Sequence, residues 1–569
     1  MKKRLIALLI TGTVVLSACG NAVTTQATTA TDEETVEATT ENSTEEEVVE
    51  IPSLKEIYKD DFLIGTIYAE SSLAENDVAL MNQQFNVITP ENIMKPENMQ
   101  PTEGTFNYAN ADQMMKFAQA NNLIVVGHTL AWHQQSGDFL GQNVTREEAI
   151  EQLRNHITNV VGPYKGQILS WDVVNEAFAD NMKLPEDGDW TKCLKDTPWL
   201  NSIGSDYVEM AFQFAREADP DVELYYNDYN LNNKDKIDAV CAMVKDFKER
   251  GIPIDGVGMQ GHYSSGMKIG GVGYALESLK ELGVKVSITE LDVTGAESSD
   301  DAMTEEDAIK QAVTYAQLFK TFKEYSDSIE RVTFWGTIDS QSWRSATHPC
   351  IFDSQYQPKQ AFYAIADPDA YLEAQGITDE KIELKEAKAM YGTPDISVLD
   401  DPAWDASEVY QINNQILAWE GATAEFKVLW DETNLYVRYD VTDSVLNKDS
   451  ENAYEQDSIE AFVDQNNGKT DFYEDDDGQY RVNYEGTMTF DTAPIQEAKA
   501  NTFEREGGYI VTLAIPWTLE VSEGSVIGFD AQVNDANDQG VRQSIAKFAD
   551  LTDNTWSALD SISNMTLTK

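Results

Sequence analysis

Residues 168–178 read ILSWDVVNEAF, an apolar and β-branched run that ends abruptly in an amide and an acid, Asn175 and Glu176. A second run of the same kind, KVSITELDV at 285–293, carries Glu290 near its end. Each run predicts a buried strand that delivers a carboxylate to one edge of a sheet. An acid after a strand can also simply cap the next helix. Two such acids with polar and aromatic neighbours favour an acid/base pair that acts on one bond.

Apolar runs of this kind recur about every forty residues between positions 62 and 339. The eight runs are FLIGTIYA (62–69), FNVITPEN (85–92), LIVVGHTL (123–130), ILSWDVVNE (168–176), ELYYNDYN (223–230), GVGMQGHY (256–263), KVSITELDV (285–293) and RVTFWGTID (331–339). Stretches with helical spacing of apolar residues lie between most of them, such as 146–161 and 305–322. This alternation predicts an α/β fold with parallel strands, the (β/α)8 TIM barrel. A doubly wound open sheet is the alternative.

Seven of the eight runs end in polar or aromatic side chains. They supply Glu91 and Asn92, His128, Asn175 and Glu176, Asn227 and Asp228, Gln260 and His262, Glu290, and Trp335 with Asp339. The carboxyl ends of barrel strands form the rim at which active sites lie. Two of the five histidines, His128 and His262, fall at this rim, whereas His156 lies inside a predicted helix and is interpreted as structural.

The composition excludes several classes of partner. The net charge is −58, from 41 Lys and Arg against 99 Asp and Glu, so neither nucleic acid nor an anionic lipid surface is an expected partner. No CxxC or HExxH metal signature is present. Only three cysteines follow Cys19, so at most one disulfide is possible among them. We therefore expect catalysis that needs no cofactor.

The N-terminus has the pattern of an export signal. Three basic residues at positions 2–4 precede the apolar run LIALLITGTVVL (5–16), and the sequence Leu-Ser-Ala-Cys ends at Cys19. Residues 1–18 resemble a lipoprotein signal peptide. That resemblance implies lipidation of Cys19 and an exported protein anchored to the bacterial cell surface, facing outward. An ordinary cleaved signal is the alternative. Residues 19–50 are rich in Thr and Glu and predict a disordered tether.

The side chains at the rim suit a sugar. Amides and carboxylates bind hydroxyl groups, and aromatic faces pack on the C–H faces of sugar rings. Cleavage of a glycosidic bond requires one protonated acid and one ionised carboxylate. Glu176 lies between an apolar run and Phe178, so we expect burial to favour its protonated form. His262 and Asp292 are expected to form a pair that holds Glu290 ionised and oriented.

Residues 51–372 resemble glycoside hydrolase family 10, the endo-β-1,4-xylanases. The matching motifs are FNVITPENIMK (85–95), GHTLAWH (127–133), WDVVNEAF (171–178), YYNDYN (225–230), GVGMQGHY (256–263), ITELDV (288–293) and TFWGTIDSQSWR (333–344). They span the whole predicted barrel in the expected order. The resemblance implies a retaining enzyme that hydrolyses internal bonds of xylan and xylo-oligosaccharides, with its two carboxyl groups about 5–5.5 Å apart.

The resemblance also implies roles for individual residues. Glu176 corresponds to the acid/base, Glu290 to the nucleophile and Asn175 to the ligand of the sugar 2-hydroxyl, with His262 and Asp292 as supporting catalytic residues. The implied substrate-binding residues are Glu91, Asn92, Lys95, His128, Trp132, Gln135, Tyr229, Gln260, Trp335, Trp343 and Arg344. Among them, Trp335 and Trp343 correspond to the aromatic floor and lid. Pro90 and Pro96, which flank the first motif, depart from the usual family pattern.

The C-terminal third has a different pattern. Residues 373–390 are charged and predict a linker, and residues 391–569 alternate with period two, which predicts an all-β, jelly-roll-like sandwich. This region resembles carbohydrate-binding module family 9, with matches such as VLWDETNLYV (428–437) and IGFDAQVNDAND (527–538). The resemblance implies sugar contacts from Tyr454, Glu460, Arg481, Asn483 and Trp556, with Tyr454 in place of the usual tryptophan.

That resemblance further implies structural calcium in the sandwich. The run Asp475-Asp476-Asp477 offers oxygen ligands of the kind that calcium takes, although such a run can also be a solvated acidic turn. Two alternatives to a xylanase stay open for the whole chain. One is a catalytically inactive lipoprotein that captures polysaccharide, and the other is a related β-glucanase. The intact Glu176 and Glu290 pair favours an active enzyme.

Overall fold

The computed structural model of the protein describes residues 51–69, 74–295, 303–377, 384–417, 421–490, 497–551 and 554–569. The predicted signal peptide, the predicted tether and Cys19 lie outside these described residues. Within them, no helix combines the length and the apolar character that crossing a membrane requires.

The first domain is built on a parallel sheet. Its strands are β1 (Leu63–Tyr68), β2 (Val87–Pro90), β3 (Ile124–Val125), β4 (Gly127–Ala131), β5 (Ser170–Asn175), β6 (Glu223–Asp228), β7 (Gly256–Met259), β8 (His262–Ser264), β9 (Lys285–Thr294) and β10 (Ile329–Phe334). Hydrogen bonds join them in the order β3-β2-β1-β10-β9-β7-β6-β5-β4, and β8 also pairs with β9. Since β3 and β4 are halves of one run interrupted at Val126, the sheet closes on itself. The predicted TIM-like barrel is confirmed.

Helices connect the barrel strands. They are α1 (Leu54–Ile57), α2 (Glu75–Gln84), α3 (Pro96–Met99), α4 (Ala109–Asn121), α5 (Arg146–Val161), α6 (Pro198–Ile203), α7 (Tyr207–Ala218), α8 (Lys234–Arg250), α9 (Gly270–Glu281), α10 (Glu305–Glu324), α11 (Gln360–Ala366) and α12 (Pro368–Ala374). Short 3-10 turns lie at Gly162–Tyr164, Trp190–Cys193, Asp339–Gln341 and Ser345–Thr347. Capping boxes fix the starts of α5 and α10, where Thr145 and Thr304 bond reciprocally with the residue three positions on.

Glycines decide two details of the rim. A Cβ on Gly127 would lie 2.2 Å from the ring of Trp171, so β4 and β5 can approach only because position 127 has no side chain. Gly261 has a φ of 80°, which glycine adopts at little cost, and it separates β7 from β8. The break turns His262 out of the line of β7 and onto β9, where it pairs with Asp292 in register.

The second domain is an all-β sandwich. Its strands are β11 (Glu386–Tyr391), β12 (Tyr410–Ile412), β13 (Asn414–Gln415), β14 (Thr423–Trp430), β15 (Asn434–Thr442), β16 (Ser458–Asp464), β17 (Asp477–Asn483), β18 (Met488–Thr489), β19 (Lys499–Arg505), β20 (Gly508–Pro516), β21 (Val526–Ala536), β22 (Arg542–Lys547) and β23 (Ser563–Thr568). Short 3-10 turns lie at Pro402–Ala406 and Ala453–Glu455. Val437 of β15 and Val511 of β20 share a single buried core with Ile459 of β16 and Val533 of β21. These two pairs of strands therefore pack face to face.

The linker is shorter than the sequence predicts. Helix α12 extends to Ala374, and Glu386–Tyr391 is a strand that pairs with β23 and β14. Residues 386–390 therefore belong to the sandwich, because their alternating side chains enter its core although their charge suggests a linker. The sandwich also touches the barrel, where the backbone N–H of Gly270 donates to Asp471 over 2.6 Å and Lys183 pairs with Asp475.

Candidate active site

The carboxyl ends of the barrel strands surround a cleft of about 550 Å³. Its lining comprises Glu91, Asn92, Lys95, His128, Trp132, Gln134, Gln135, Asn175, Glu176, Tyr229, Asn230, Gln260, His262, Glu290, Trp335 and Trp343. Every site residue predicted for the barrel lies in this lining except Asp292 and Arg344. The barrel therefore brings the predicted residues together around one cleft.

The two carboxylates are joined by a chain of amides. Asn227 donates to Glu290 Oε1 over 2.9 Å and to Asn175 Oδ1 over 2.9 Å. Asn175 in turn donates to Glu176 Oε1 over 3.2 Å, and Gln260 donates to the same oxygen over 3.0 Å. Neighbouring strands supply these residues, so the sheet itself sets their spacing. Glu176 and Glu290 thus line one cleft and share one rigid network, as the sequence predicts.

Glu176 differs from Glu290 in its surroundings. It has a left-handed backbone with a φ of 58°, directly after the last residue of β5. Such a conformation is costly for a residue other than glycine and is frequent at functional sites. Both amide bonds fall on Oε1, and no described residue donates a hydrogen bond to Oε2. Among the described residues, Glu176 therefore has one oxygen without a hydrogen-bond partner and no cation in contact with it.

Glu290 is held by a charged partner. His262 Nε2 lies 3.3 Å from Glu290 Oε2, and His262 Nδ1 lies 3.0 Å from Asp292 Oδ2. Burial lowers the pKa of His262, but Asp292 and Glu290 outweigh it and raise that pKa to about 9. Burial would likewise raise the pKa of Glu290, yet the hydrogen bond from His262 brings it below its ordinary value. At neutral pH the geometry therefore favours a protonated His262 beside an ionised Glu290.

The raised pKa of His262 predicts a pH-dependent contribution to stability. The imidazolium stabilises the fold fully below its unfolded pKa of 6.5, and this contribution disappears as the pH rises through about 9. Relative to His262→Gln, we expect the wild type to lose about 3 kcal/mol of unfolding free energy over that window. Denaturant unfolding at pH 6 to 10 measures the difference. His348→Gln, outside the cleft, is the control, and a wild-type advantage that stays constant across the window contradicts the prediction.

Asp292 and Arg344 support the site from behind rather than line it. Asp292 is 1% exposed and accepts from Arg344 Nη1 over 2.6 Å and from Trp343 Nε1 over 3.0 Å. The Trp343 ring lies edge-on to His262, with 5.1 Å between ring centroids. Arg344 lies outside the cleft lining and its guanidinium binds Asp292, so its predicted contact with substrate stays a prediction. Trp343 remains largely exposed, as expected for a lid over the cleft.

One end of the cleft is organised around a buried lysine. Lys95 Nζ donates to Asn92 Oδ1 over 2.9 Å and to Gln135 Oε1 over 2.8 Å, and it lies 5.1 Å from the Trp132 ring centroid. Burial lowers the pKa of Lys95 and raises that of Glu91, while the opposite charge of each limits the shift of the other. This end therefore offers amides, one cation and one aromatic face to sugar hydroxyls and rings.

Two functional residues were missed as site residues. The sequence predicts Asn227 at a strand end but not as a site residue, although it bridges Asn175 and Glu290. Asp172, inside β5, lies 2.9 Å from Nδ1 of His128 and orients that ring. The signal for Asp172 was an acid within a buried strand, which needs a partner. The sequence does not show that the partner comes from the neighbouring strand, 44 residues away.

The polar residues predicted for the sandwich form a second buried network. Glu460 accepts from Arg481 Nε over 2.9 Å and from Asn534 over 2.7 Å, and Asn483 donates to Gln456 over 2.9 Å. The two aromatic residues predicted for the sandwich are not buried, since Tyr454 and Trp556 are 43% and 61% exposed. Exposed aromatic faces of this kind are available for stacking.

Two groups of acids in the sandwich fit a cation. Asp464, Asp476 and Asp477 form one, and Asp443, Asp457 and Asp535 form the other, with ligand oxygens within 4.8 Å of one another in each. Burial and neighbouring carboxylates raise the pKa values of Asp457 and Asp477 to about 8.

Unpartnered oxygens support the same interpretation. Within the described part of the sandwich, Asp477 Oδ1, Asn467 Oδ1 and Asp443 Oδ2 are buried without a hydrogen-bond partner. These are the hard oxygen ligands that calcium prefers. Asp475, the first acid of the predicted run, lies outside both groups and pairs instead with Lys183 over 2.9 Å.

Comparison with known proteins agrees with this site. Residues 53–368 match the model for glycosyl hydrolase family 10, and residues 396–569 match the model for carbohydrate family 9 binding domains. Exoglucanase XynX of Acetivibrio thermocellus and endo-1,4-beta-xylanase A of Thermoanaerobacterium saccharolyticum are each 32% identical to this chain over 91% of its length. The chain spans only 64% and 60% of these two relatives.

A shorter relative and a solved structure are matched over nearly their whole length by part of this chain. A beta-1,4-xylanase of Dictyoglomus thermophilum is 36% identical over 56% of this chain and 91% of its own. A mutant of the intracellular xylanase of Thermoanaerobacterium saccharolyticum, solved with xylotriose, is 39% identical with a TM-score of 0.52, covering 56% of this chain and 99% of that one. With its barrel matched from residue 53 to residue 368, the chain belongs to glycosyl hydrolase family 10.

Proposed function

We propose that the protein is a retaining endo-1,4-β-xylanase with an appended sugar-binding module. The observation that carries this proposal is the cleft in which Glu176 and Glu290 are joined through Asn175 and Asn227. One carboxylate has a protonated histidine beside it and the other has only neutral amides, which is the asymmetry that glycosidic cleavage requires. The relatives named as xylanases support xylan as the substrate.

The roles follow from that asymmetry. Glu290 attacks the anomeric carbon while Glu176 gives its proton to the leaving oxygen, which yields a glycosyl-enzyme and a free sugar chain. Glu176, now ionised, removes a proton from water, and the resulting hydroxide displaces Glu290 from the sugar. Two displacements at one carbon retain the anomeric configuration. Asn175, which donates to Glu176 and is joined to Glu290 through Asn227, is proposed to bind the 2-hydroxyl of the reacting sugar.

A release assay tests the proposal. The full chain should liberate reducing ends from linear xylan, with far fewer from cellulose or mixed-linkage glucan, and early proton NMR spectra should show the β-anomer of the product. Because one relative is named an exoglucanase, glucan is a necessary comparison. Release from glucan alone would establish a β-glucanase instead. No release from any polysaccharide, with sugar binding preserved, would establish a capture protein.

The module is proposed to bind sugar chains through the exposed rings of Tyr454 and Trp556. Stacking on aromatic faces explains their exposure, and the buried Glu460 and Arg481 pair holds the adjoining strands in register. Trp556→Ala should weaken binding of the full chain to insoluble xylan about 5- to 30-fold, as removal of one stacking ring costs on the order of 1–2 kcal/mol. Depletion isotherms measure the effect. Leu551→Ala, which also removes an exposed apolar side chain, is the control. Unchanged binding contradicts this assignment.

Structural calcium is proposed for the two groups of acids in the sandwich. Asp464, Asp476 and Asp477 would hold one ion together with Asn467, and its charge would relieve the repulsion between their carboxylates. Chelation should lower the unfolding temperature of the sandwich, and calcium should restore it better than magnesium. At a calcium concentration of 100 times the dissociation constant, the ion adds about 2.7 kcal/mol of stability.

Matched variants make the calcium experiment specific. Asp477→Asn should abolish the calcium-dependent part of the unfolding temperature, since it removes one charged ligand from the group. Asp475→Asn, two positions earlier in the same run, should leave that part intact. Calorimetry of the full chain with and without chelator gives both values. An unfolding temperature that does not respond to calcium in the wild type would refute the site.

Export and lipid anchoring complete the proposal. The basic start, the short apolar run and Cys19 support a lipoprotein whose catalytic and binding domains face outward from the bacterial surface. Mass spectrometry of the N-terminal peptide from membranes should find acyl chains on Cys19, and Cys19→Ser should release the protein into the medium. An unmodified N-terminal peptide from the mature protein would reject the anchor.

A further inference from the structure

Glu176 has a backbone conformation that the surrounding structure must hold in place. Its φ of 58° lies in the left-handed region, which is costly for a residue other than glycine. Strand β5 ends at Asn175, and the Glu176 N–H still donates to the Asn227 carbonyl over 2.9 Å. The next two residues, Ala177 and Phe178, are buried, so their N–H groups need acceptors from elsewhere in the fold. The direction of the Glu176 side chain therefore depends on what binds those two N–H groups.

A tyrosine hydroxyl from the neighbouring strand β6 accepts from both N–H groups. The Tyr226 hydroxyl oxygen lies 3.0 Å from the backbone nitrogen of Ala177 and 3.3 Å from that of Phe178. The Tyr226 ring also packs edge-on against the ring of Phe178, with 5.6 Å between ring centroids. All three residues are buried, so water does not compete for these bonds. One side chain thus fixes the two peptide groups that directly follow Glu176.

The same hydroxyl is held by a buried ion pair. It donates its proton to Asp228 Oδ2, and Asp228 Oδ1 lies 2.9 Å from the ammonium of Lys236, a residue of α8. Asp228 and Lys236 are both buried. A hydroxyl has one proton and two lone pairs. Because its proton goes to a carboxylate, the Tyr226 hydroxyl keeps both lone pairs for the N–H groups of Ala177 and Phe178.

We infer that Tyr226 is a positioning residue for Glu176. Its hydroxyl holds the chain after Glu176, so that the left-handed conformation persists and the carboxyl faces the leaving oxygen. The described lining of the cleft does not include Tyr226, so Tyr226 acts through Glu176 and not on the sugar. The inference rests on the proposed function, in which Glu176 is the proton donor.

Tyr226→Phe tests the hydroxyl and keeps the ring that packs on Phe178. Because two buried N–H groups lose their acceptor, Glu176 should move out of line with the leaving oxygen. We expect kcat for linear xylan to fall about 10- to 100-fold, since a misplacement of about 1 Å can cost 10²-fold. KM should stay within about twofold, because no group that touches the sugar changes. The burst of an aryl xyloside with a good leaving group should be nearly unaffected, as its leaving oxygen departs without protonation.

Two further variants make the result specific. Tyr225→Phe removes a buried hydroxyl from the adjacent position of β6, and that hydroxyl donates to Glu330 over 2.9 Å. It should affect xylan and the aryl xyloside equally. Asp228→Asn keeps the size of the side chain but removes the charge that receives the Tyr226 proton. It should slow the cleavage of xylan more than the aryl burst, as Tyr226→Phe does.

A double-mutant cycle measures whether Tyr226 acts through Glu176. In the Glu176→Gln background the proton donor is already absent, so Tyr226→Phe should slow xylan cleavage there by less than about twofold. A loss in that background as large as in the wild type would overturn the inference and leave Tyr226 with a structural role alone. Equal losses on xylan and in the aryl burst for Tyr226→Phe would overturn it as well.

Failure of the proposed function has a different result. A wild-type protein that releases nothing from xylan would reject the proposed function and the inference together. With an active wild type, additive losses in the double-mutant cycle would reject the role of Tyr226 and leave the proposed function intact.

Discussion

Glu290→Ala should reduce the hydrolysis of xylan by roughly 10⁴- to 10⁶-fold, the range expected when a covalent nucleophile is removed. The reason is geometric. Glu290 is held by Asn227 on one oxygen and by His262 on the other, so its carboxylate is fixed at the cleft. The loss corresponds to about 5–8 kcal/mol of activation free energy. Initial rates of reducing-end release measure it.

An external nucleophile distinguishes loss of chemistry from loss of structure. With an activated aryl β-xyloside, azide should enter the space left by Glu290→Ala and give the α-glycosyl azide, because it attacks from the face that Glu290 occupied. Glu281→Ala, on the exposed end of α9, should retain full activity. A Glu290→Ala protein that still hydrolyses xylan within tenfold of the wild type would disprove the assignment of the nucleophile.

Glu176→Gln is expected to have the second large effect, and it depends on the substrate. Loss of the proton donor should slow the cleavage of xylan by roughly 10²- to 10⁴-fold. In the glycosylation step, aryl glycosides with good leaving groups should be nearly unaffected, since their leaving oxygen departs without protonation. Pre-steady-state bursts of the aryl leaving group measure that step separately from the second one.

The acid/base variant has its own product signature. In Glu176→Ala, azide should attack the glycosyl-enzyme directly and give the β-glycosyl azide, the anomer opposite to the one expected for Glu290→Ala. The amide partners Asn175 and Gln260 remain in both variants, so the pair of experiments isolates the two carboxylates. Equal slowing of xylan and aryl glycosides in the glycosylation step would contradict the role of Glu176.

Much of the fold follows from local sequence patterns. All eight apolar runs contain a strand, and the helix predicted at 146–161 has those bounds in the structure. These patterns are informative because barrel strands, buried on both sides, form continuous apolar runs. The helices are buried on one side, so their apolar residues recur with helical spacing. The linker was the exception. Residues 386–390 carry charges that predict a linker, but they pair with β23, from the far end of the chain, and form a strand.

The site was predicted with similar success and similar limits. Glu176 and Glu290 follow from their place at strand ends and from the family resemblance, and both line the cleft. Arg344 was assigned to substrate because it lies in a motif, yet its guanidinium binds the buried Asp292. The direction in which the Arg344 side chain turns depends on the buried carboxylate of Asp292, which lies 52 residues away in sequence.

The sequence by itself determined the class of fold, the order of the strands along the chain and the position of the two carboxylates at strand ends. These features follow from the spacing of apolar residues, which is a local property. The sequence predicts that His262 and Asp292 hold Glu290 ionised, but the tertiary structure decided how those side chains reach it. His262 reaches Glu290 only because Gly261 breaks the strand and turns the ring onto β9, while Glu176 meets only amides from β5 and β7. Electrostatic asymmetry arises from contacts across strands, and strand pairing brings together residues that the chain itself keeps far apart.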